Sequence, residues 1–462
     1  MAQSLRRAYR IARLAAKRSS AYRALLAQLS LNPKQLVAGA PNAVPFDALP
    51  VLDKDNTFGR FDLAELAGRT NLRDVADVLT SSGRGGRVFG YRLTGRRTHD
   101  RSWFDIDLGL QDAFGVDQRP ALLVNCLPMG VVFRSRAVAV ANVSVREDMA
   151  CAILRDVGRS FAQTIVCCDP LFVNRLLDQA VLAGVDWKQL QTSLVIGEEV
   201  LVESQRQYIA ARMGIDVDRD PHRLVASSFG VGELGLNLLF ETRETIAIRR
   251  VMRASASVWQ ATGLGAQPVS PPAVFCYNPM RSHIEVLDAD PSGFGELCIT
   301  MLDEQAPIAL PRYRTGDLAR LLTEAETASL ARLSGRGKPW LPVIMVKGRI
   351  ADRVAGLPEV ESVKELVYCH PELAGELTGA FKIQRVDAHS AQVTLQLKSG
   401  GNLARAQHAA AEAERLAGDG LPANCRLVVT DSRLGWGPAL DYERKFAYLG
   451  QDLRSAILEP AG

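Results

Sequence analysis

The hexapeptide Y-R-T-G-D-L at Tyr313–Leu318 is the most specific stretch of this 462-residue chain. It is preceded by the run G-E-L-C-I-T at Gly295–Thr300. A carboxylate that follows a glycine turn suits two neighbouring sugar hydroxyls, because each carboxylate oxygen can accept a hydrogen bond from one of them. A capped turn that binds nothing would have the same composition. The hexapeptide is therefore interpreted together with the segments before and after it.

Three further segments carry groups suited to phosphates, a base or a metal. The run T-S-S-G-R-G-G at Thr80–Gly86 could turn backbone N–H groups towards phosphate oxygens, although it lacks the Gly-Lys-Ser/Thr of a Walker A loop. The run S-S-F-G-V-G-E at Ser227–Glu233 offers an aromatic face for a base and a carboxylate for Mg²⁺. The run K-G-R-I-A-D-R at Lys347–Arg353 lies where the pattern of residue types along the chain changes. Each segment alone is as readily an ordinary loop or core segment.

The composition indicates a globular protein and excludes some functions. Hydrophobic residues make up 47% and charged residues 23%, and a net charge of +4 gives no reason to expect nucleic acid. The basic N-terminal stretch of 25 residues is interpreted as a solvated helix face, with a transit peptide or a contact to an anionic surface as alternatives. No run approaches the roughly 18 apolar residues of a membrane span. The eight cysteines are expected to be reduced, buried thiols in a cytoplasmic protein.

Short apolar runs alternate with helical patterns from about residue 120 onward, which predicts a parallel sheet covered by helices. Ligands in such sheets bind beyond the carboxyl ends of the strands. The residues after 348 mix short strands with the helix Leu403–Leu416, which indicates a small α+β unit. The predicted strands are Ala121–Leu127, Gln163–Cys168, Ser193–Ile196 and Leu224–Ser227, and the predicted helices are 1–30, Glu147–Val157, Pro170–Ala183 and Val200–Met213.

The order of these four segments resembles the adenylate-forming superfamily. Finer features resemble its phenylacetate–CoA ligase branch, namely Ser20–Arg23 (S-A-Y-R), Leu49–Lys54 (L-P-V-L-D-K), Cys168–Leu171 (C-D-P-L) and Ile196–Glu199 (I-G-E-E). The resemblance implies an α/β protein, with a large multi-layer N-terminal domain over residues 1–347. A small, mobile α+β domain would follow over residues 348–462.

The resemblance also implies roles for individual residues. The phosphates of ATP would contact Ser81, Ser82, Gly83, Arg84, Gly85 and Gly86, and the adenine would contact Gly197, Glu198, Phe229 and Gly230. Asp317 would hold the ribose with help from Arg349, and Glu233 would bind Mg²⁺. Lys445 would reach the acid and the α-phosphate during adenylation, the alternative being an ordinary surface lysine. The acid pocket would include Asp169, Pro170, Phe172 and Leu234.

The implied activity is ATP-dependent activation of an aromatic or aliphatic carboxylic acid to an acyl-AMP, followed by transfer to CoA. Transfer to a carrier-protein thiol or an amine, and a degenerate nucleotide-binding protein without turnover, are the alternatives. Arg84 and Gly85 replace the two threonines that such enzymes carry in the first loop. Gly232 replaces a threonine, and Ala351 replaces the hinge Asp or Lys. These departures indicate a divergent subgroup.

Overall fold

The structure is a computed structural model that describes residues 2–38, 44–68, 70–81, 88–100, 103–128, 130–265, 267–387, 390–417, 421, 424–432, 442 and 445–450. The helices are α1 (Ala2–Arg18), α2 (Ser20–Gln28), α3 (Pro33–Ala38), α4 (Leu63–Ala67), α5 (Arg96–His99), α6 (Trp103–Phe114), α7 (Glu147–Asp156), α8 (Phe172–Ala183), α9 (Glu203–Met213), α10 (Arg243–Ala254), α11 (Ala256–Ala261), α12 (Glu324–Leu333), α13 (Val360–Cys369), α14 (Pro371–Glu376) and α15 (Leu403–Leu416). The strands are β1 (Val75–Ser81), β2 (Gly90–Gly95), β3 (Ala121–Asn125), β4 (Ala139–Asn142), β5 (Gln163–Cys168), β6 (Thr192–Ile196), β7 (Val225–Val231), β8 (Gly235–Phe240), β9 (Ala273–Tyr277), β10 (Ser282–Leu287), β11 (Gly295–Met301), β12 (Tyr313–Leu321), β13 (Val343–Arg349), β14 (Leu377–Arg385), β15 (Ala391–Leu397) and β16 (Cys425–Thr430).

One sheet of 11 strands, in the order β10-β11-β12-β13-β9-β8-β7-β6-β5-β3-β4, organises the first 349 residues. The half from β4 to β7 is parallel, and the half from β7 to β10 is antiparallel. Every residue of β3 and β5 is buried, as expected for parallel strands covered on both faces. The α/β fold class predicted from the sequence is therefore confirmed.

The two halves of the sheet meet at β7, which extends further than the sequence predicts. The predicted strand ends at Ser227, whereas β7 continues to Val231 because its second part pairs with β8 in an antiparallel ladder. This extension brings Phe229 and Gly230 into the sheet. This second part of β7 pairs with β8, which follows it in the chain after the turn that contains Glu233. A pattern of apolar residues does not reveal this pairing.

The N-terminal helix predicted over residues 1–30 is divided in two. Ser19 is extended and separates α1 from α2, with its side chain accepting the N–H of Tyr22 at 3.1 Å. The same hydroxyl donates to the carbonyl of Glu65 at 2.8 Å. Serine is favoured at such an N-cap position, since its oxygen satisfies a free N–H of the first turn. The prediction of one helix is thus wrong at Ser19.

The C-terminal part has a three-stranded sheet in the order β14-β15-β16, with α15 at the predicted bounds. Residues of α13 and β14, such as Val363 and Phe381, belong to the same hydrophobic cluster as Phe172 of α8 and Ile209 of α9. The C-terminal part therefore packs closely on the first part. A domain boundary at residue 348 stays a prediction.

Two exclusions drawn from the sequence can be compared with the structure. All eight cysteines carry free thiols, and seven of them are buried. Among the described residues, no helix is long and apolar enough to cross a bilayer.

A buried ionic cluster fixes the region where α9 meets β7. Arg206 is fully buried, and it contacts Glu203 at 3.0 Å and Glu241 at 2.8 Å. The other oxygen of Glu241 accepts the N–H of Ser227 at 2.7 Å. Burial alone would lower the pKa of Arg206, but the two carboxylates raise it above its ordinary value. The cluster thus joins a helix, a strand and the segment after β8.

We expect Arg206→Met to lower the urea midpoint of unfolding sharply. Removing one partner of a buried ion pair costs about 3–5 kcal/mol, and the two carboxylates would keep only the longer ion-pair contacts of 3.5 to 3.9 Å to Arg249 and Arg250. Arg155 makes an exposed pair with Asp156, so Arg155→Met is the matched control and should leave the midpoint unchanged. A midpoint of Arg206→Met equal to that of the wild type would contradict the structural role of the cluster.

Candidate functional site

A cavity of about 50 Å³ lies beyond the carboxyl ends of β6 and β7 and beside β12 and β13. We call it the Asp317 cavity, and it is lined by Glu198, Glu199, Val200, Ser227, Ser228, Phe229, Gly230, Phe275, Asp317, Gly348, Arg349, Asp352, Val360, Glu361 and Lys364. It brings together five residues that the sequence analysis assigned to one nucleotide, namely Glu198, Phe229, Gly230, Asp317 and Arg349. In the sheet, β8 and β9 lie between β7 and β13, and Phe275 of β9 also lines the cavity.

Asp317 and Arg349 are direct neighbours across the β12–β13 ladder. Asp317 is buried, with 5% of its surface exposed. The hexapeptide forms a strand with an irregularity in its pairing rather than a capped turn, and Gly316 has a φ of +78° there. Glycine adopts this conformation without steric cost, which explains the residue type in front of the carboxylate.

The turn after β6 presents two carboxylates to the C-terminal part. Glu199 accepts a hydrogen bond from Lys364 at 2.6 Å and from the hydroxyl of Tyr448 at 2.7 Å, both on Oε2. Lys445 Nζ lies 2.7 Å from Glu198 Oε2, as an ion pair without good hydrogen-bond geometry. Three side chains of the C-terminal part therefore meet at the wall of the Asp317 cavity.

Gly197 precedes these carboxylates and belongs to the predicted adenine contacts. Its N–H donates to the carbonyl of Cys168 at 3.0 Å. A Cβ at this position would lie 3.2 Å from Leu127 Cδ2, so the turn packs tightly against Leu127. The structure thus places Gly197 at the base of the turn, next to Glu198.

Glu233, the predicted Mg²⁺ ligand, lies in the turn between β7 and β8 and is buried. Its Oε1 is 2.9 Å from Lys54 Nζ and accepts a hydrogen bond from the Ser81 hydroxyl at 2.5 Å. Magnesium requires oxygen ligands, whereas an ammonium group already neutralises this carboxylate. Among the described residues, no group of three or more His, Cys, Asp or Glu could hold a metal ion. This arrangement does not fit the predicted metal role.

The backbone around Glu233 explains two glycines. A Cβ on Gly90 would lie 2.2 Å from Glu233 Oε1, and a Cβ on Gly232 would lie 2.5 Å from the Cβ of Ser81. A threonine at position 232 would therefore clash with Ser81. Ser82, Gly83, Arg84, Gly85 and Gly86, to which the sequence analysis assigned phosphate contacts, lie outside the described residues.

The four residues of the predicted acid pocket do not form one wall. Phe172 is fully buried, and its ring contacts that of Tyr442 at 5.7 Å, whereas Leu234 belongs to a different hydrophobic cluster. The carbonyl of Pro170 accepts a hydrogen bond from Gln205. Phe172 faces the C-terminal part because α8 packs against β14 and Tyr442.

Asp169 is a carboxyl group whose pKa its surroundings raise. Its carboxylate accepts the N–H groups of Leu171 at 2.8 Å and Phe172 at 3.1 Å. Burial, with the negative charge of Glu199 as the second cause, raises the pKa of Asp169 to about 7. The folded protein therefore favours the protonated form of this carboxyl group.

Three residues lie at the site without having a role predicted from the sequence, namely Lys54, Lys364 and Tyr448. Lys54 was part of a family-like run, which is the one available signal for it. Lys364 and Tyr448 carry no local signal, since an isolated lysine or tyrosine in an apolar context is common.

We expect Asp169→Asn to gain stability relative to the wild type as the pH rises. The carboxyl group has a pKa near 3.9 in the unfolded chain and about 7 in the folded protein. Between these pH values the folded state binds one more proton, so the free energy of unfolding of the wild type falls by about 1.4 kcal/mol per pH unit. Urea midpoints should be measured at pH 5, 6, 7 and 8. The difference between the midpoints of Asp169→Asn and the wild type should grow up to pH 7 and then stay constant. Asp186 makes the same turn hydrogen bonds on an exposed loop, so Asp186→Asn should show no such trend. A difference independent of pH would refute the raised pKa.

The sequence matches no family model and no curated protein, but solved structures with the same fold exist. The 2-hydroxyisobutyryl-CoA ligase in the postadenylation state, in complex with R3-HIB-AMP, has a TM-score of 0.66 at 14% identity, over 98% of this chain and 90% of that chain. Its open conformation with 2-HIB-AMP and CoA has a TM-score of 0.54 at 14% identity, over 97% and 91%. Its thioesterification state has a TM-score of 0.50 at 15% identity, over 97% and 88%.

These three scores concern one ligase in three states. The score is higher for the postadenylation state than for the thioesterification state. At this identity the likeness concerns the fold. This chain has the fold of the adenylate-forming CoA ligases, a large α/β part followed by a small α+β part.

Proposed function

We propose that this protein uses ATP to activate a carboxylic acid as an acyl-AMP and then transfers the acyl group to the thiol of CoA. The observation that carries the proposal is the Asp317 cavity, where Phe229, Asp317 and Arg349 converge with Lys445 close to its wall. We further propose an aromatic or aliphatic acid and a phenylacetate–CoA ligase-like relationship. The free, buried thiols suit a reducing compartment such as the cytoplasm.

The nucleotide would bind through groups that are already in place. The Asp317 carboxylate would accept hydrogen bonds from both ribose hydroxyls, and the ring of Phe229 would stack on the adenine. A cavity of about 50 Å³ is small beside the ~300–1,000 Å³ of typical ligand sites. Nucleotide entry would therefore require α13, which carries Lys364, to move away from Glu199.

In the first step, a carboxylate oxygen of the acid attacks the α-phosphorus of ATP. The bond from the α-phosphorus to the oxygen that bridges to the β-phosphate breaks, and pyrophosphate leaves with that oxygen. The Lys445 ammonium would offset the negative charge on the transferred phosphate as a compact charge on a flexible stem. Because Lys54 neutralises Glu233, no step is assigned to Mg²⁺.

In the second step, the CoA thiolate attacks the acyl carbon and AMP leaves with the electrons of the cleaved carbon–oxygen bond. Lys445 is not needed there, because AMP is already a good leaving group. An acceptor thiol on a carrier protein, or an amine, would react in the same way. A protein without turnover is the remaining alternative, and the Lys54–Glu233 contact is the observation that favours it.

We expect ATP–pyrophosphate exchange with at least one member of a panel of aromatic and aliphatic acids. In Asp317→Asn, calorimetric ATP affinity should fall, because hydrogen bonds to a charged group contribute about 1.5–3 kcal/mol each. Asp156→Asn, at an exposed site, should bind ATP as the wild type does. ATP binding without exchange for any acid would instead favour the protein without turnover.

We expect Lys445→Met to separate the two half-reactions. Acyl-AMP formation in a single turnover should slow strongly, while thiolysis of a supplied acyl-AMP stays near the wild-type rate. The exposed Lys188 provides the control variant Lys188→Met, which should leave both rates unchanged. Adenylation by Lys445→Met at the wild-type rate would exclude this lysine from the first step.

A further inference from the structure

A second cavity, of about 740 Å³, lies between α1, the β1–β2 hairpin and the turn between β9 and β10. We call it the arginine cavity, and Arg7, Arg92, Arg97 and Arg281 contribute to its lining. It shares no lining residue with the Asp317 cavity. Its volume is in the range of sites that enclose an organic ligand.

Two guanidinium groups converge in this cavity. A Cβ on Gly235 would lie 2.8 Å from Arg92 Nη1 and 3.3 Å from Arg281 Nη2. Both groups therefore rest against the same glycine, and their like charges are close together. Burial and the neighbouring Arg281 lower the pKa of Arg92 below its ordinary value, and the charges of Asp77 and Asp303 offset only part of this effect. Such a convergence is costly unless an anion compensates it.

The two arginines differ in their compensation. Arg281 pairs with Asp105 at 3.2 Å and donates to the carbonyls of Leu236 and Asn237. Arg92 makes one long hydrogen bond of 3.4 Å to the carbonyl of Leu234. Its Nε is buried without a hydrogen-bond partner, and among the described residues it has no ion pair.

The carboxylates around the cavity are engaged elsewhere. Glu233 pairs with Lys54, and Glu304 pairs with Arg10. Asp303 accepts the hydroxyl of Thr98 and the N–H of Gln305. The charge of Arg92 therefore lacks a contacting carboxylate within the described part of the chain.

One part of the wall is apolar, while charged side chains such as Asp105, Asp303 and Glu304 line other parts. Buried aliphatic side chains line the apolar part, namely Leu93, Leu234, Leu302, Ile308 and Leu310. An apolar wall with a forked cation at one place matches a ligand with an apolar tail and a carboxylate, because the guanidinium can donate to both carboxylate oxygens. We propose that the arginine cavity binds an organic monocarboxylate with an apolar tail, held by Arg92. This proposal does not rest on the proposed function.

Octanoate is the probe for a calorimetric titration of the full chain without ATP, with octanol and octyl phosphate in parallel. Octanoate should bind and octanol should not, since burial of the tail alone leaves Arg92 uncompensated. Arg92→Met should weaken octanoate binding by about tenfold or more, the loss expected for a charge-assisted hydrogen bond. Arg159→Met, at an exposed site, should bind octanoate as the wild type does.

Thermal unfolding gives a readout that a purely structural Arg92 would not produce. Without ligand, Arg92→Met should unfold at the wild-type temperature or above it, because a half-buried charge without a contacting carboxylate has been removed. Octanoate should raise the unfolding temperature of the wild type and leave that of Arg92→Met unchanged. A lower unfolding temperature of Arg92→Met without ligand would overturn the proposal.

Met301→Trp keeps Arg92 and narrows the cavity from a partly exposed position, so it tests the ligand independently of the Arg92 side chain. Octanoate affinity should be lost in this variant. Retained affinity in Met301→Trp, equal affinity of octanol and octanoate for the wild type, or binding of octyl phosphate alone would each overturn the assignment of the ligand.

Discussion

The buried contact between Arg206 and the carboxylates of Glu203 and Glu241 is the constraint on which the rest of the site depends. It lies where the sheet changes from parallel to antiparallel, and Glu241 also holds the N–H of Ser227. The hydrogen bond from Ser227 to Glu241 holds β7 in place. This strand contains Phe229 and is followed by the turn that contains Glu233. The position of the candidate site therefore depends on charges that do not line the Asp317 cavity but contact it through the backbone N–H of Ser227.

A second set of contacts connects the two parts of the chain. Lys364 and Tyr448 meet on one oxygen of Glu199, and Lys445 meets the adjacent Glu198. These carboxylates also line the Asp317 cavity, so the cations that hold the C-terminal part in place narrow the space for a ligand. Closure of the two parts and access to the cavity are thus coupled through the same pair of side chains.

The glycine at position 232 has a structural explanation in the turn that contains Glu233. Gly232 stands where the family resemblance of the sequence implies a threonine, and the Cβ of Ser81 would lie 2.5 Å from any Cβ at that position. Ser81 in turn donates to Glu233, which Lys54 neutralises. The departure is one part of a packed group of side chains, so a single restored threonine would disturb the whole group. The arginine cavity begins beside this group, because Glu233 and Leu234 also line it.

The sequence by itself determined the fold class, the strand Gln163–Cys168 and the helix Leu403–Leu416. These features depend on hydrogen bonds between near neighbours and on apolar periodicity, both of which are written in short stretches of sequence. The tertiary structure alone decided that Lys54 meets Glu233, that Phe172 faces Tyr442, and that the Nε of Arg92 is buried without a hydrogen-bond partner. Lys364 and Glu199 are 165 positions apart, and no local pattern indicates which lysine reaches which glutamate. Such pairs form only when strands and helices pack, because burial selects the partner of each charge.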